Sequence, residues 1–328
     1  MVGEKMVIDI HSHIIPKNLV GVDKFGIYIE NINNHSQTFT LRSWGGVTVD
    51  NVQENLIDPQ SQVEDMKEQG IDVKVLSLPP FLFAYDKDDK WALNWHMSSN
   101  NHIAEICSTY PDSFLGFGTV PLQNIDFAVR EMTRCINDLG FKGIEIGTNV
   151  NGLDLDNERF SRFFQEANRL ECSILIHPNN VFMGSRLSSY YLENLIGNPY
   201  ETTISATRLI VSGFFEKYPK IRVCLSHGGG ALPYILGRIR HGSKVRPEIC
   251  LKNELELPNQ MFFDMVVYDP ETMIFLISKA DIDNVLLGSD YPFDMGDPQS
   301  IILIKSNLEE AEQSKILRSN AKRFLKMQ

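Results

Sequence analysis

Five side chains of this chain have the types and spacing that metal chemistry requires. His11 and His13 close one short apolar run, His177 closes a second and His227 a third, while Asp290 follows a fourth. In an extended strand residues two apart point to the same side, so His-Ser-His at 11–13 presents both imidazoles together and turns Ser12 away. Imidazole nitrogens and a carboxylate oxygen are the ligands that a catalytic zinc prefers, with one position left open for water. Zinc brings the pKa of that water to roughly 7. A neutral imidazole with an intrinsic pKa of ~6.5 is suited to accepting and returning a proton at that pH. One histidine at a strand end is more often a structural hydrogen-bonding residue. Five such groups at the same end of four strands point instead to one shared site, in which each could serve as a metal ligand or as an acid/base group. Gly228, Gly229 and Gly230 after His227 allow either a flexible turn or a backbone kept bare for substrate, and the second fits what precedes them. His35, His96, His102 and His241 read as surface or packing residues.

These residues must be positioned by strands that converge at one end. Short β-branched runs alternate with stretches of helical periodicity along the whole chain, the signature of repeated βα units. Strands are expected at Met6–Ile10, Asp72–Leu78, Phe114–Thr119, Gly143–Ile146, Ser173–Ile176, Arg222–Leu225, Met261–Asp264 and Asn284–Leu287. Asp58-Pro59 supplies an N-cap and a first-turn proline for one helix, and the apolar face of Asn124 to Leu139, ended by Gly140, marks another. Eight such strands favour a closed (β/α)8 TIM-type barrel in a single domain, 1–328, whose chemistry sits at the C-terminal mouth. Lys17 to Ile57 is too long for a βα loop of ~2 to 6 residues and is expected to form a small insert or lid over that mouth. Pro178 to Tyr200, with Met183-Gly184 and Tyr190-Tyr191, emerges at the same end.

With 328 residues, 43% hydrophobic and 22% charged, the chain can bury a core of that size. A net charge of -11 and the lack of any Lys/Arg stripe argue against nucleic acid. The five cysteines are odd in number and scattered in apolar runs, as reduced thiols of a cytoplasmic protein would be. The N-terminal residues fit neither a signal peptide nor a membrane span of ~20 apolar residues.

Several motifs together resemble a known family. IDIHSHIIP at 8–16, IHP at 176–178, SHGGGA at 226–231, LGR at 236–238 and GSDYPF at 288–293 are similar to the amidohydrolase superfamily, in its 2-amino-3-carboxymuconate-6-semialdehyde decarboxylase-like branch. The likeness runs nearly end to end, through DP at 58–59, MKEQGIDV at 66–73, GTVPLQ at 118–123 and FEKYPKIRVC at 215–224. It implies one zinc per subunit on His11, His13, His177 and Asp290, an acid/base role for His227, and a homodimer in which Arg238 reaches a substrate carboxylate in the other subunit. It also implies decarboxylation of a small unsaturated or aromatic carboxylic acid, through metal-activated water or a metal-polarised substrate oxygen, with His227 protonating the carbon that loses CO2. No lysine stands where a carbamate bridge would need one, since Lys142 precedes the fourth strand, so a single metal is expected. The pattern breaks at two places. Asp50 stands where the family has an arginine, the insert's one arginine being Arg42, and Asn179-Asn180 replaces an aromatic. An aspartate repels a carboxylate that arginine would attract, which keeps open a hydrolase or hydratase acting on a lactone, amide or unsaturated acid.

Overall fold

The computed structural model describes residues 6–22, 24–33, 38–44, 48–179, 181, 184–249 and 256–327, with the backbone alone for 31–33, 38, 39, 48–51 and 184. Seven strands run parallel: β1 (Ile8–His13), β5 (Val73–Ser77), β6 (Phe114–Gly118), β7 (Gly143–Gly147), β10 (Ser173–His177), β11 (Arg222–Leu225) and β12 (Met261–Phe263). Two antiparallel units interrupt them. β2 (Tyr28–Asn33), β3 (Thr38–Arg42) and β4 (Thr48–Gln53) make a separate three-stranded sheet, and β8 (Asn149–Val150) pairs with β9 (Leu153–Asp154). The parallel strands form one curled sheet in the order β1-β5-β6-β7-β10-β11-β12.

Helices follow the strands: α1 (Pro59–Gln69), α2 (Asp89–Thr109), α3 (Ile125–Asn137), α4 (Ser161–Arg169), α5 (Asn198–Val211) with α6 (Phe214–Lys217), α7 (Leu232–Val245) and α8 (Pro270–Ala280). Three more, α9 (Ser300–Asn307), α10 (Glu310–Ser314) and α11 (Asn320–Phe324), complete the described chain. Their ends obey local chemistry. The Asp58 side chain accepts Ser61 N at 3.0 Å before Pro59, and Gly70 closes α1 in the left-handed region at φ 72°. Asn124 caps α3 through Phe127 N at 3.1 Å, and Gly140 follows at φ 71°. Among the described residues no helix is long and apolar enough to cross a membrane.

The expected strands recur with two differences. The first continues past Ile10 through both histidines to His13. The eighth is not a regular strand, because Ile282–Asn284 forms a 3-10 turn and Val285 makes a single bridge with Phe263. Its ladder is broken by left-handed Asp290 (φ 56°) and by Pro292, which has no N–H to donate. This segment nevertheless bonds to both edges of the sheet. Leu286 N donates to Phe263 O at 2.8 Å, Ile10 N to Leu287 O at 3.0 Å and Asp290 N to His11 O at 2.9 Å.

Side chains sort by strand parity. Ile8, Ile10, Val73, Val75, Phe117, Leu175, Cys224, Phe262 and Leu286 form one buried cluster inside the curl, floored by Ala321, Phe324 and Leu325 of the α11 region. Outward residues such as Ile144, Ile146, Ile174 and Val223 pack beneath the helices in a second cluster. A third belongs to the residues between β1 and α1: Phe25, Ile27, Leu41 and Val52 bury against Leu82 and Trp95, with Trp44 stacked edge-on to Trp91 and Trp95 at 4.8 Å.

Candidate metal centre

Parity alone would aim β1 the wrong way. Ile8 and Ile10 face inward, so strict alternation would send His11 and His13 out towards the helices. The register with β5 resolves this, because Asp9 pairs with Lys74 but Ser12 pairs with Leu76, which leaves one extra residue in β1. That bulge flips the strand, turning both histidines inward. His177 comes inward by plain alternation after Leu175. Gly288 leaves room for the group, since a Cβ there would lie 2.8 Å from the Asp264 Cβ and 3.0 Å from the His11 Cβ.

The four expected ligands meet. One ligand atom from each of His11, His13, His177 and Asp290 lies within 4.8 Å of all the others, and all four residues are buried. Asp290 Oδ1 stands 3.1 Å from His13 Nε2 and 3.3 Å from His11 Nε2, while the two Nε2 atoms are 3.1 Å apart. Every Nδ1 is engaged elsewhere: His11 with Asp264 Oδ2 at 2.7 Å, His13 with Ser77 Oγ at 3.2 Å and His177 with Pro178 O at 2.8 Å. Such partners fix ring orientation and leave Nε2 for a metal. His177 Nε2 is buried without a hydrogen-bond partner, as a ligand atom would be.

Electrostatics agree with a cation at the centre. Burial opposes the charge on Asp290, yet His11 and the hydrogen bonds from His11, His13 and His227 outweigh it and hold the carboxyl well below its usual range. Burial pulls His13 down to about 4 and, with His227 and His11, takes His177 well below the ordinary imidazole value. Both therefore present lone pairs. Only His11 rises well above its usual value, because Asp290 and Asp264 overcome its burial. The buried Asp290 and Asp264 carboxylates thus favour a positive charge at the point where a divalent ion would sit.

His227 stands beside this group. Its Nε2 lies 3.3 Å from Asp290 Oδ2, the other carboxylate oxygen, and its Nδ1 lies 3.3 Å from Ser226 Oγ. His227, Gly228, Gly229 and Gly230 all take positive φ, which re-aims the imidazole after β11. The glycines answer chiefly to protein neighbours: a Cβ would meet Val267 at 2.7 Å from Gly228, Phe263 at 2.6 Å from Gly229 and Pro199 O at 2.0 Å from Gly230. A cavity of about 580 Å³ opens here, bounded by His227, Asp290, Gly228 and Gly230. Its walls are Leu195, Pro199, Tyr234, Val266, Tyr268, Phe275 and Met295, with Asn194, Asn198 and Glu271 as polar points. The segment after His177 thus contributes to the site through Asn194 and Leu195.

Other expected residues lie elsewhere. Arg238 is exposed on α7 and does not line this cavity. Arg42 pairs with Glu30 at 3.2 Å on the surface. Asn179 is tucked against Gly147, where a Cβ would meet its Oδ1 at 2.3 Å. Asn180, Met183, His35 and Cys250 lie outside the described residues, as does the side chain of Asp50. His96 is fully buried, bonding Thr119 Oγ1 at 2.9 Å.

Three site residues escaped the sequence reading. Asp264 lies one residue past β12, at the same end as the histidines that close their strands. Ser77 closes β5 in the same manner. Glu145 lies between outward Ile144 and Ile146 and opposite inward Leu175, so it faces the interior, where burial pushes its carboxyl up to about 8.

A curled parallel sheet that brings three histidines and an aspartate together at its strand ends defines a metal-dependent enzyme of the barrel type. The chain belongs to the amidohydrolase family, whose model matches residues 8–327. A 2-amino-3-carboxymuconate-6-semialdehyde decarboxylase of Dictyostelium discoideum is 34% identical over 97% of this chain and 91% of its own length. The structure of 2,6-dihydroxybenzoate decarboxylase complexed with 2,6-dihydroxybenzoate superposes with a TM-score of 0.80 at 26% identity, covering 98% of this chain and 100% of the other. A 5-carboxyvanillate decarboxylase from Novosphingobium aromaticivorans, complexed with manganese and 4-hydroxy-3-methoxy-5-nitrobenzoic acid, gives 0.76 at 28% identity over 84% and 82% of the two chains.

Proposed function

We propose that this protein is a zinc-dependent decarboxylase that removes CO2 from a small unsaturated or aromatic carboxylic acid, of the 2-amino-3-carboxymuconate-6-semialdehyde or dihydroxybenzoate kind. The observation that carries the reading is the position of His227, beside Asp290 and on the wall of an apolar cavity that opens onto the ligand set. Three imidazoles and one carboxylate suit zinc better than an oxygen-seeking cation, and the manganese-bound neighbour marks the competing choice. When bound, the metal would supply Lewis acidity to a substrate oxygen. The chain does the rest. Tyr268, Phe275 and Val267 hold a flat conjugated body and exclude water. His227 gives its proton to the carbon from which CO2 departs, as the electrons of the broken C–C bond stay on that carbon. The imidazole then regains a proton through the cavity.

Among the described residues that line the cavity there is no lysine or arginine, so a carboxylate not held by the metal requires a permanent cation from elsewhere. In this proposal Arg238 of the partner subunit supplies it. The exposed α7 face carrying Arg238 also displays Tyr234, 81% exposed, and Val245, 57% exposed, as a homodimer contact would. The sheet is taken to close as a (β/α)8 barrel in one domain, with residues 285–291 as its eighth member and 17–57 over the mouth. Phe293 supports this, because it packs with the cluster of that insert and stands 5.3 Å from His13. Buried free Cys135, Cys172 and Cys224 suit a cytoplasmic protein.

The test is CO2 release by zinc-loaded protein from 2,6-dihydroxybenzoate and from 2-amino-3-carboxymuconate-6-semialdehyde. No CO2 from either, with hydrolysis of a lactone or amide, would transfer the site to hydrolase chemistry. Mixing inactive Arg238→Ala subunits with inactive His11→Ala subunits should restore activity, and failure to do so would remove the shared site.

A further inference from the structure

Behind the ligand set, on the outer side of β1, lie two fully buried ionisable residues of opposite charge that the chemistry does not use. Asp9 and Lys74 are register partners across β1 and β5, and both are 0% exposed. Asp9 Oδ1 accepts His11 N at 3.1 Å and Ser289 N at 3.1 Å, and Oδ2 accepts Ser289 Oγ. Lys74 Nζ makes no hydrogen bond and lies 3.1 Å from the centroid of the Tyr291 ring, while the Tyr291 hydroxyl donates to Asp65 of α1. The carboxylate thus grips the backbone of one ligand, His11, and of the residue before another, Asp290. The ammonium rests on the residue after Asp290.

Burying two charges is costly, and well-packed apolar residues commonly serve stability as well or better. A carboxylate, however, accepts N–H and O–H donors from two separate chain segments more strongly than a neutral oxygen does, and a buried anion is stabilised by a cation nearby. We propose that Asp9 and Lys74 are positioning residues that hold the His11 and Asp290 segments at the separation the metal requires, and so set metal affinity. The inference rests on the metal reading of the site.

The experiment compares wild type, Lys74→Met and the double variant Asp9→Asn/Lys74→Met, each stripped of metal. Zinc affinity is measured by chelator competition, ligand geometry by the visible spectrum with cobalt(II), and the fold by melting of the metal-free protein. Lys74→Met is expected to bind zinc about 10- to 100-fold more weakly, with an altered cobalt spectrum. In the double variant, which carries no buried charge here, melting should return towards wild type while zinc affinity stays low. A double variant that melts like wild type and also binds zinc with wild-type affinity and spectrum would reduce the pair to a packing feature and overturn the proposal. Should that variant not fold, Ser289→Ala removes only the hydroxyl bonded to Asp9. It should weaken zinc by about tenfold, and unchanged affinity there overturns the proposal equally. Wild-type protein that takes up no divalent ion would instead defeat the metal reading itself.

Discussion

Asp264 Oδ2 lies 2.7 Å from His11 Nδ1, and Asp264 Oδ1 accepts Gly228 N at 2.7 Å. One buried carboxylate therefore orients a metal ligand and pins the turn that carries His227. Replacing Asp264 with alanine should lower metal affinity by about 10- to 100-fold and lower turnover even at saturating metal, because both ends of the contact are released. Metal titration alongside CO2 release checks it. Unchanged affinity would show that His11 is oriented by its strand alone.

His227 should separate from the ligands by its behaviour. His227→Gln is expected to keep one metal per chain and to lose about 10²- to 10⁴-fold in kcat, the range for a removed acid/base group. Metal content and single-turnover rate decide it. Loss of the ion itself would make His227 a ligand.

The glycine turn can be tested without touching any reacting group. Gly230 has φ 61°, and a Cβ there would lie 2.0 Å from Pro199 O. Gly230→Ala should cost at least about 1 kcal/mol in urea unfolding and should also slow turnover by displacing His227. Wild-type stability would mean that the contact between Pro199 of α5 and the glycine turn yields easily.

A pH prediction follows from His96, remote from the ligand set. Burial pulls its pKa down to about 3, against an ordinary 6.5, so the folded protein holds it neutral while the unfolded chain takes up a proton. Its contribution to stability is complete above pH 6.5 and is lost as pH falls towards 3, by about 2 kcal/mol between pH 7 and pH 5. His96→Gln, which does not titrate, should flatten that part of the stability profile. An identical slope in wild type and variant would place the acid sensitivity elsewhere.

The residues show why some of the site was legible beforehand and some was not. Helix ends were plain because their signals are local: Asp58 and Asn124 bond N–H groups three positions on, and Gly70 and Gly140 relieve a left-handed bend. The ligands were legible because strand ends converge in a curled parallel sheet. Spacing puts His11 and His13 on one side of β1 but does not say which; Ile8 and Ile10 also face inward, and only the bulge reconciles them. A bulge depends on the partner strand, which no local pattern encodes. Asp264 was missed because a carboxylate that touches a ligand and no substrate has no spacing rule of its own. Val285, Leu286 and Leu287 have the pattern of a regular strand, whereas the left-handed backbone of Asp290 (φ 56°) has no signal in residue type or spacing.

The bonds that join residues 285–291 to β1 also bring together segments from the two ends of the sequence. His13 and Asp290 are 277 positions apart, so the ion has no complete cage until the first strand and this late segment have met. Contacts so distant in sequence carry a heavy loop-closure cost and form slowly. A bound ion opposes their reopening, by about 2.7 kcal/mol when free metal stands at a hundred times its dissociation constant. The ion is in this sense a clasp on the seam between the two ends of the fold. Chelation should loosen that seam first, and amide exchange at Ile10, His13 and Asp290 would register it while the strands opposite stay protected.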